Sequence, residues 1–351
     1  MTPVGQANDV AGPVLRIEEL SVCVEREGHL NLALSNVSLS IDDGEIVGVV
    51  GESGCGKTMM ALAIMGLMAE NCRTVHGSIS LRGQEIAALS ARSARSLRGR
   101  RMSMIFQEPM VALNPLMRVG RQVEEVLAIH HIGRRLDRRR RVRELFAQVG
   151  LSGSALRSRQ YPHELSGGMR QRVMIAMALA AEPALLIADE PTTALDATVQ
   201  AQILDLLLDI RSRLGTSILF VTHDMGVIAE VADRVVVMYA GQVVEVASVR
   251  DLFARPSHPY TAGLLGSRTA SSRLIEGGDL PTIAGRVPSL EEIPTGCAFA
   301  PRCGKVQARC IDNRPQLATV EPGHAAACWF PLTSVGDSPA PATMHMESGQ
   351  G

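Results

Sequence analysis

The sequence has no surplus of positive charge. Lys and Arg number 35 against 36 Asp and Glu, a net charge of -1 at pH 7. A nucleic-acid partner would call for a basic face, so none is expected. Long apolar runs are also missing: the most apolar stretch, 59–69, falls far short of the roughly 20 residues of a membrane-spanning helix. The N-terminal MTPVGQANDVAGPV has no charged segment leading into an apolar one, so no secretory signal is expected. The chain reads as soluble, with any membrane role supplied through a partner. Aromatic residues make up only 3% of the chain, and none interleaves with Arg138-Arg139-Arg140-Arg141. That run therefore reads as a solvated helix face and not as a nucleic-acid patch. With nothing implying export, the seven cysteines are not expected to form a disulfide scaffold. Cys23, Cys55 and Cys72 are scattered, whereas Cys297, Cys303, Cys310 and Cys328 cluster and read as a metal or cluster site.

Hydrophobic residues, at 46%, are ample for a core. Stretches 15–24 and 32–41 read as strands, and Asp42-Asp43-Gly44 as a turn into a third strand, 45–50. EIVGVV is a continuous β-branched run suited to a sheet buried on both faces. A Gly-rich loop and a helix over 57–68 follow, which opens an α/β domain. Residues 108–172 are Arg-rich, with helical period over 119–129 and 138–149, and read as a helical insertion. Strands return at 185–188, 217–221 and 234–238, with a helix over 199–214. After Phe253, prolines from Pro256 to Pro322, Pro281 among them, mark a loop-rich segment. From Thr333 onward Ser, Pro, Gly and Ala predict a disordered tail.

Gly51-Glu52-Ser53-Gly54-Cys55-Gly56-Lys57-Thr58 fits G-x-x-x-x-G-K-[ST] between a buried strand and a helix. Its glycines let backbone N–H groups close around a phosphate. Gly51, Ser53, Gly54, Cys55, Gly56, Lys57, Thr58 and Met59 are the candidate nucleotide contacts, with Lys57 on the β- and γ-phosphates and the Thr58 hydroxyl on Mg²⁺. Cys55, beside Lys57 and a helix N-terminus, reads either as a small spectator residue or as a thiol of lowered pKa whose alkylation would block nucleotide binding. The apolar run Leu185-Leu186-Ile187-Ala188 ends in Asp189-Glu190, carboxylates at the sheet edge where α/β folds bind ligands. Asp189 is expected to orient Mg²⁺ and Glu190 to take a proton from attacking water. His223 follows another strand and is expected to reach a γ-phosphate.

Leu165-Ser166-Gly167-Gly168-Met169-Arg170-Gln171-Arg172 resembles the signature sequence of ATP-binding-cassette (ABC) proteins. Gln107 in Ile105-Phe106-Gln107-Glu108-Pro109 matches that family's Q-loop, Ala194-Leu195-Asp196 its D-loop and His223 its switch histidine. The resemblance implies an α/β, ABC-type P-loop domain over 13–255: a RecA-like core, an antiparallel β subdomain and a helical signature subdomain at about 108–172. It implies ATP and Mg²⁺ as cofactors, with Thr58, Gln107 and Asp189 around Mg²⁺, and Glu190, His223 and Gln107 as catalytic residues. It also implies head-to-tail cassettes, each ATP being clamped between one phosphate loop and the partner's Ser166, Gly167, Gly168 and Asp196. Free N–H groups at the start of the signature helix suit that role. The aromatic residue that the family usually stacks on adenine is absent from Gly28-His29-Leu30-Asn31-Leu32. Val24, Leu30 or Leu32 by apolar contact, or His29 by stacking, would cover the base.

His258-Pro259-Tyr260-Thr261 through Trp329, with Gly285-Arg286-Val287-Pro288-Ser289-Leu290 and the stretch 294–303, is similar to the extension of dipeptide and oligopeptide importer ATPases. Nickel importers share parts of it. Residues 256–332 are thus expected to form a small loop-rich C-terminal extension, and 333–351 its tail. Cys297, Cys303, Cys310 and Cys328 match a branch in which some members hold a [4Fe–4S] cluster. Four cysteines also suit Zn²⁺, or remain free thiols. Arg302, Lys305 and Arg309 would offset the charge of a cluster.

The resemblance implies an ATPase on the cytoplasmic face of the inner membrane, peripheral, driving uptake of di- and oligopeptides. Its partners would be a related second cassette as a heterodimer, two transmembrane permeases that dock near 110–120, and an extracytoplasmic solute-binding protein. Nickel, opines or another small solute are the alternative cargoes. A soluble ABC ATPase of repair or translation would bring basic arms or coiled coils, and a metabolic phosphotransferase would not need LSGGM.

Overall fold

A computed structural model describes residues 12–193, 195–272 and 283–332. The expected tail, Ala194 and Pro281 lie outside the described residues. The strands, in chain order, are β1 (Leu15–Arg26), β2 (His29–Ile41), β3 (Ile46–Val50), β4 (Cys72–Leu81), β5 (Gln84–Glu85), β6 (Met102–Ile105), β7 (Leu185–Asp189), β8 (Ser217–Val221), β9 (Arg234–Tyr239), β10 (Gln242–Ser248), β11 (Ala318–Glu321) and β12 (His324–Ala326). Contacts divide the chain into two compact units that interleave along the sequence.

The first unit takes in the chain up to Ser21, Asn36–Ile46 and Thr58–Val221. Here β6, β7 and β8 run parallel, with Met104 opposite Ile187 and Asp189 opposite Val221. Every residue of the three is buried, which is why they read as unbroken apolar runs instead of alternating ones. β4 and β5 form an antiparallel hairpin, Leu81 opposite Gln84. The helical insertion is present: helices Val119–Ile129, Arg135–Gln148 and Gly167–Leu179 pack on one another through Val123, Leu127, Leu145, Phe146 and Val173. Of the arginine run, Arg139 and Arg140 are on the solvated face expected, with Arg140 reaching Asp137 and Glu144, whereas Arg138 and Arg141 are half-buried and Arg141 pairs with Glu182 at 2.6 Å. The helix after the phosphate loop, Lys57–Met65, stops three residues before the expected end because Gly66 takes a left-handed φ of 60°.

The second unit takes in Val22–Ser35, Val47–Lys57 and the chain from Thr222 onward. β3 runs parallel to β9, with Val49 opposite Val236; β9 pairs antiparallel with β10, β10 with β12, and β12 with β11. The segment expected to be loop-rich therefore supplies two strands to this sheet, and helices Pro259–Ser272 and Ala308–Asp312 as well. The strands escaped sequence reading because β12 is three residues long, and its Ala325 and Ala326 are held by pairing with Val246 and Glu245 instead of by their own propensity. A fully buried carboxylate locks the segment in place. Glu245 accepts the backbone N–H groups of Ser257 (2.6 Å) and His258 (2.9 Å), and meets His324 Nε2 at 2.7 Å. Buried charge is tolerated only when satisfied in this way. Among the described residues, no helix is long and apolar enough to cross a membrane.

Candidate functional site

The phosphate loop lies in the second unit. Gly51 has φ 153°, and a Cβ there would stand 2.2 Å from the Met238 carbonyl oxygen; Gly56 has φ 104°, with Leu34 Cδ2 at 2.8 Å. Both positions need glycine for conformation and for space. Lys57 is buried, and its Nζ donates to the carbonyls of Gly51 (2.7 Å) and Glu52 (3.1 Å). The Cys55 carbonyl accepts the Gly241 N–H at 2.9 Å, tying the loop to the β9–β10 turn.

Cys55 departs from one of its two readings. Its thiol is fully buried, and burial pushes its pKa up more than nearby Lys57 pulls it down. The reactive, low-pKa thiol inferred from sequence is not present, because the Sγ points into the core beside Gly51.

The acidic strand end lies in the first unit. Asp189 closes β7 at 2% exposure, and its Oδ1 accepts the Thr58 hydroxyl at 3.4 Å. Glu190 follows with a φ of 46°, a conformation that L-residues rarely adopt and that collects at functional sites. Its N–H donates to the Val221 carbonyl, and its Oε2 accepts both Gln107 Nε2 (3.1 Å) and Thr193 Oγ1 (2.8 Å). The structure thus joins Gln107 and Glu190, and separately Thr58 and Asp189. Met59 follows Thr58 on the helix and is half-buried.

Ser166 is exposed and caps the helix Gly167–Leu179, accepting the Met169 N–H. A Cβ on Gly168 would lie 2.6 Å from Val199 Cγ1, so glycine lets the helix Ala197–Leu214 approach. Asp196 caps that second helix through the Val199 N–H at 2.9 Å. His223, in the second unit, is exposed just ahead of Asp224, which caps the helix Met225–Val231. Of the residues offered for adenine, Val24 is buried at 8% exposure and is not available. His29 and Leu30 line a cavity with Arg26, Glu27, Asn31 and Glu291, the last hydrogen-bonded by Asn31; Leu32 is exposed but outside that lining.

Cys297, Cys303, Cys310 and Cys328 are free thiols that line one small cavity with Phe299 and Trp329. Burial pushes the thiols of Cys297 and Cys303 up, and that of Cys328 to about 11. Among the described residues, no group of three or more His, Cys, Asp or Glu side chains is arranged to hold a metal ion. Arg302 was expected to balance a cluster but is engaged elsewhere: its side chain is 4% exposed, and its guanidinium grips Glu52 of the phosphate loop with two hydrogen bonds, 2.6 and 3.0 Å. Sequence reasoning missed this pair, and no local signal could have shown it. Arg309 lies over the Trp329 ring, 3.6 Å from its centroid.

The ABC transporter family profile matches residues 34–193, and that of the oligopeptide/dipeptide transporter C-terminal region matches 244–310. A probable peptide ABC transporter ATP-binding protein of Sinorhizobium fredii is 48% identical over 92% of this chain and 97% of its own length. The oligopeptide transport ATP-binding protein AppD of Bacillus subtilis is 46% identical over 90% of this chain and 96% of its own. Among solved structures, the post-hydrolysis dimer of the ATP-binding cassette MJ0796 bound to ADP and Pi aligns at TM-score 0.61 with 28% identity, over 67% of this chain and 99% of that one. The chain belongs to the ABC transporter ATP-binding family, in the group that carries the oligopeptide/dipeptide transporter C-terminal region.

Proposed function

We propose that this chain is the ATP-hydrolysing subunit of an importer of di- and oligopeptides, acting at the cytoplasmic face of the membrane. The observation that carries the peptide reading is the C-terminal match at 244–310, together with near full-length relatives named for peptide transport. The proposed organisation is an ATP-binding domain over 13–255 and an extension over 256–332. Lys57 and the loop N–H groups of Gly51, Ser53, Gly54, Cys55 and Gly56 bind the phosphates, with Met59 behind them. Thr58, Asp189 and Gln107 hold Mg²⁺, which neutralises phosphate charge when bound. Glu190 takes the proton from the attacking water, and Gln107 keeps its carboxylate aimed. His223 contacts the γ-phosphate. Either His29 or Leu30 covers adenine. Ser166, Gly167, Gly168 and Asp196 serve the ATP of a second, related cassette, so that closure is ATP-dependent. Two permeases and a solute-binding protein complete the assembly.

The extension takes a [4Fe–4S] cluster on Cys297, Cys303, Cys310 and Cys328, as a structural pin. Four thiols lining one cavity are the right kind of donor, although as they stand no three of them are arranged to hold a metal ion. The cavity is about 20 Å³, room for about one water, so loading requires the thiols to part and lose their protons. Iron and acid-labile sulfide in anaerobically purified protein support the cluster; iron-free protein with four alkylatable thiols rejects it.

The function is tested by assembling the chain with a second cassette, permeases and a binding protein of a peptide importer in membrane vesicles. ATP-dependent uptake of labelled peptide, abolished by Lys57→Ala, is expected. Uptake of nickel in place of peptide would shift the reading to the alternative cargo.

A further inference from the structure

Glu52 is a variable position of the phosphate-loop pattern, yet it is the most tethered residue of the loop. Its N–H donates to the Tyr260 hydroxyl at 2.8 Å, its carbonyl accepts Lys57 Nζ, and its carboxylate takes the Arg302 fork. Arg302 is itself fully engaged. Its Nε donates to the Ala284 carbonyl at 2.8 Å, Nη2 to the Ile283 carbonyl at 3.2 Å and Nη1 to the Tyr239 hydroxyl at 3.4 Å. Tyr239, Tyr260 and Phe299 form an aromatic box beside the pair, with ring centroids 4.7 to 5.4 Å apart. A bidentate fork held this way has one orientation available to it.

The two tethers that come from outside the loop, Tyr260 and Arg302, both belong to the C-terminal region. The Lys57 contact must yield when Nζ turns to a phosphate; the Cys55 N–H, 3.3 Å from the Glu52 carbonyl, then holds Glu52 from within the loop, and Tyr260 and Arg302 hold it from outside. The Glu52 N–H is already spent on Tyr260, so this residue shapes the loop from behind while other N–H groups meet the anion. We propose that Arg302 is a positioning residue for nucleotide binding, acting through Glu52 to keep the phosphate loop in its binding shape. A preformed loop spares ATP the ordering entropy of the backbone, and losing that preorganisation weakens binding more than turnover. The proposal rests on the loop binding ATP, as stated above.

The test compares the full-length chain with Arg302→Met, Glu52→Gln, the double variant and Arg302→Lys. A further variant, Arg314→Met, lies in the same region but donates to the Gly296 and Pro294 carbonyls and not to the loop. A fluorescent ATP analogue with Mg²⁺ reports Kd, and the assembled transporter reports KM and kcat. Arg302→Met and Glu52→Gln should each raise Kd and KM by about 5- to 20-fold, a coupling of ordinary size, with kcat within about 2-fold. The double variant should be no worse than either single one, because both remove the same pair. Arg302→Lys should fall between, and Arg314→Met should bind as wild type whatever its melting temperature. Unchanged Kd and KM in Arg302→Met, additive losses in the double variant, or an equal loss in Arg314→Met would overturn the proposal. Should Arg302→Met not fold, Glu52→Gln and Arg302→Lys decide it. Absence of analogue binding by the wild type would instead overturn the ATP reading, and this proposal with it.

Discussion

Replacing Glu190 with Gln separates chemistry from binding, because the structure leaves room for little else to change. Gln107 at 3.1 Å and Thr193 at 2.8 Å both donate to the same atom of Glu190, Oε2. A glutamine that places its carbonyl oxygen there keeps both donors satisfied. The strained φ of 46° is carried by the backbone and is unaltered by an isosteric side chain. What disappears is charge: two charge-assisted bonds become neutral ones, a loss of about 1 kcal/mol at a partly solvated position. The base, in contrast, is removed outright, worth roughly 10²- to 10⁴-fold in turnover, or about 3–5 kcal/mol of barrier. Glu190→Gln should therefore unfold close to the wild-type midpoint, bind ATP normally and accumulate a closed cassette dimer, with single-turnover hydrolysis slowed by that factor. Hydrolysis within about ten-fold of wild type would refute the assignment of Glu190 as the base. Loss of ATP binding in step with turnover would show that the carboxylate organises the site instead of acting on water.

Gly168→Ala should cost about 1–3 kcal/mol in chemical denaturation, because the new Cβ meets Val199 Cγ1 at 2.6 Å. Adding Val199→Ala should restore most of it, and an unaltered single variant would mean that the two helices are free to part. His258 supplies a pH dependence: burial pushes its imidazole pKa down to about 4, against 6.5 when unfolded. A depressed folded pKa means that the neutral ring's contribution is complete above pH 6.5 and lost as pH falls towards 4, by up to about 3 kcal/mol. Denaturation midpoints across that window should fall less steeply for His258→Asn than for wild type; parallel curves would contradict this.

Much of the nucleotide machinery was legible because its signals are local. A β-branched run, a glycine-bearing turn and Lys57-Thr58 predict strand, loop and helix, and that is the arrangement of β3 and the helix Lys57–Met65. The apolar run ending in Asp189-Glu190 became a buried strand with its carboxylates at the tip, and the 119–129 periodicity became a helix with those bounds. The C-terminal region was less legible. Proline spacing suggested loops, whereas β12 exists through pairing with β10, and β11 through pairing with β12; the first joins residues some 80 positions apart, as does the contact of His324 with Glu245. The lowered pKa offered as one reading of Cys55 is not found, because its neighbours in sequence, Lys57 and a helix start, say nothing about depth of burial.

By itself the sequence determined the order of motifs, the strand–loop–helix around the phosphate loop, the helical insertion and the presence of four clustered cysteines, because each depends on residues a few positions apart. Only the tertiary structure decided that the cysteines share one cavity, that Cys55 is sealed and that Glu190 adopts its left-handed turn. It alone set Arg302 on Glu52, 250 residues away. Such contacts follow from which surfaces the folded chain brings together, and hydrophobic period and turn chemistry carry no record of that.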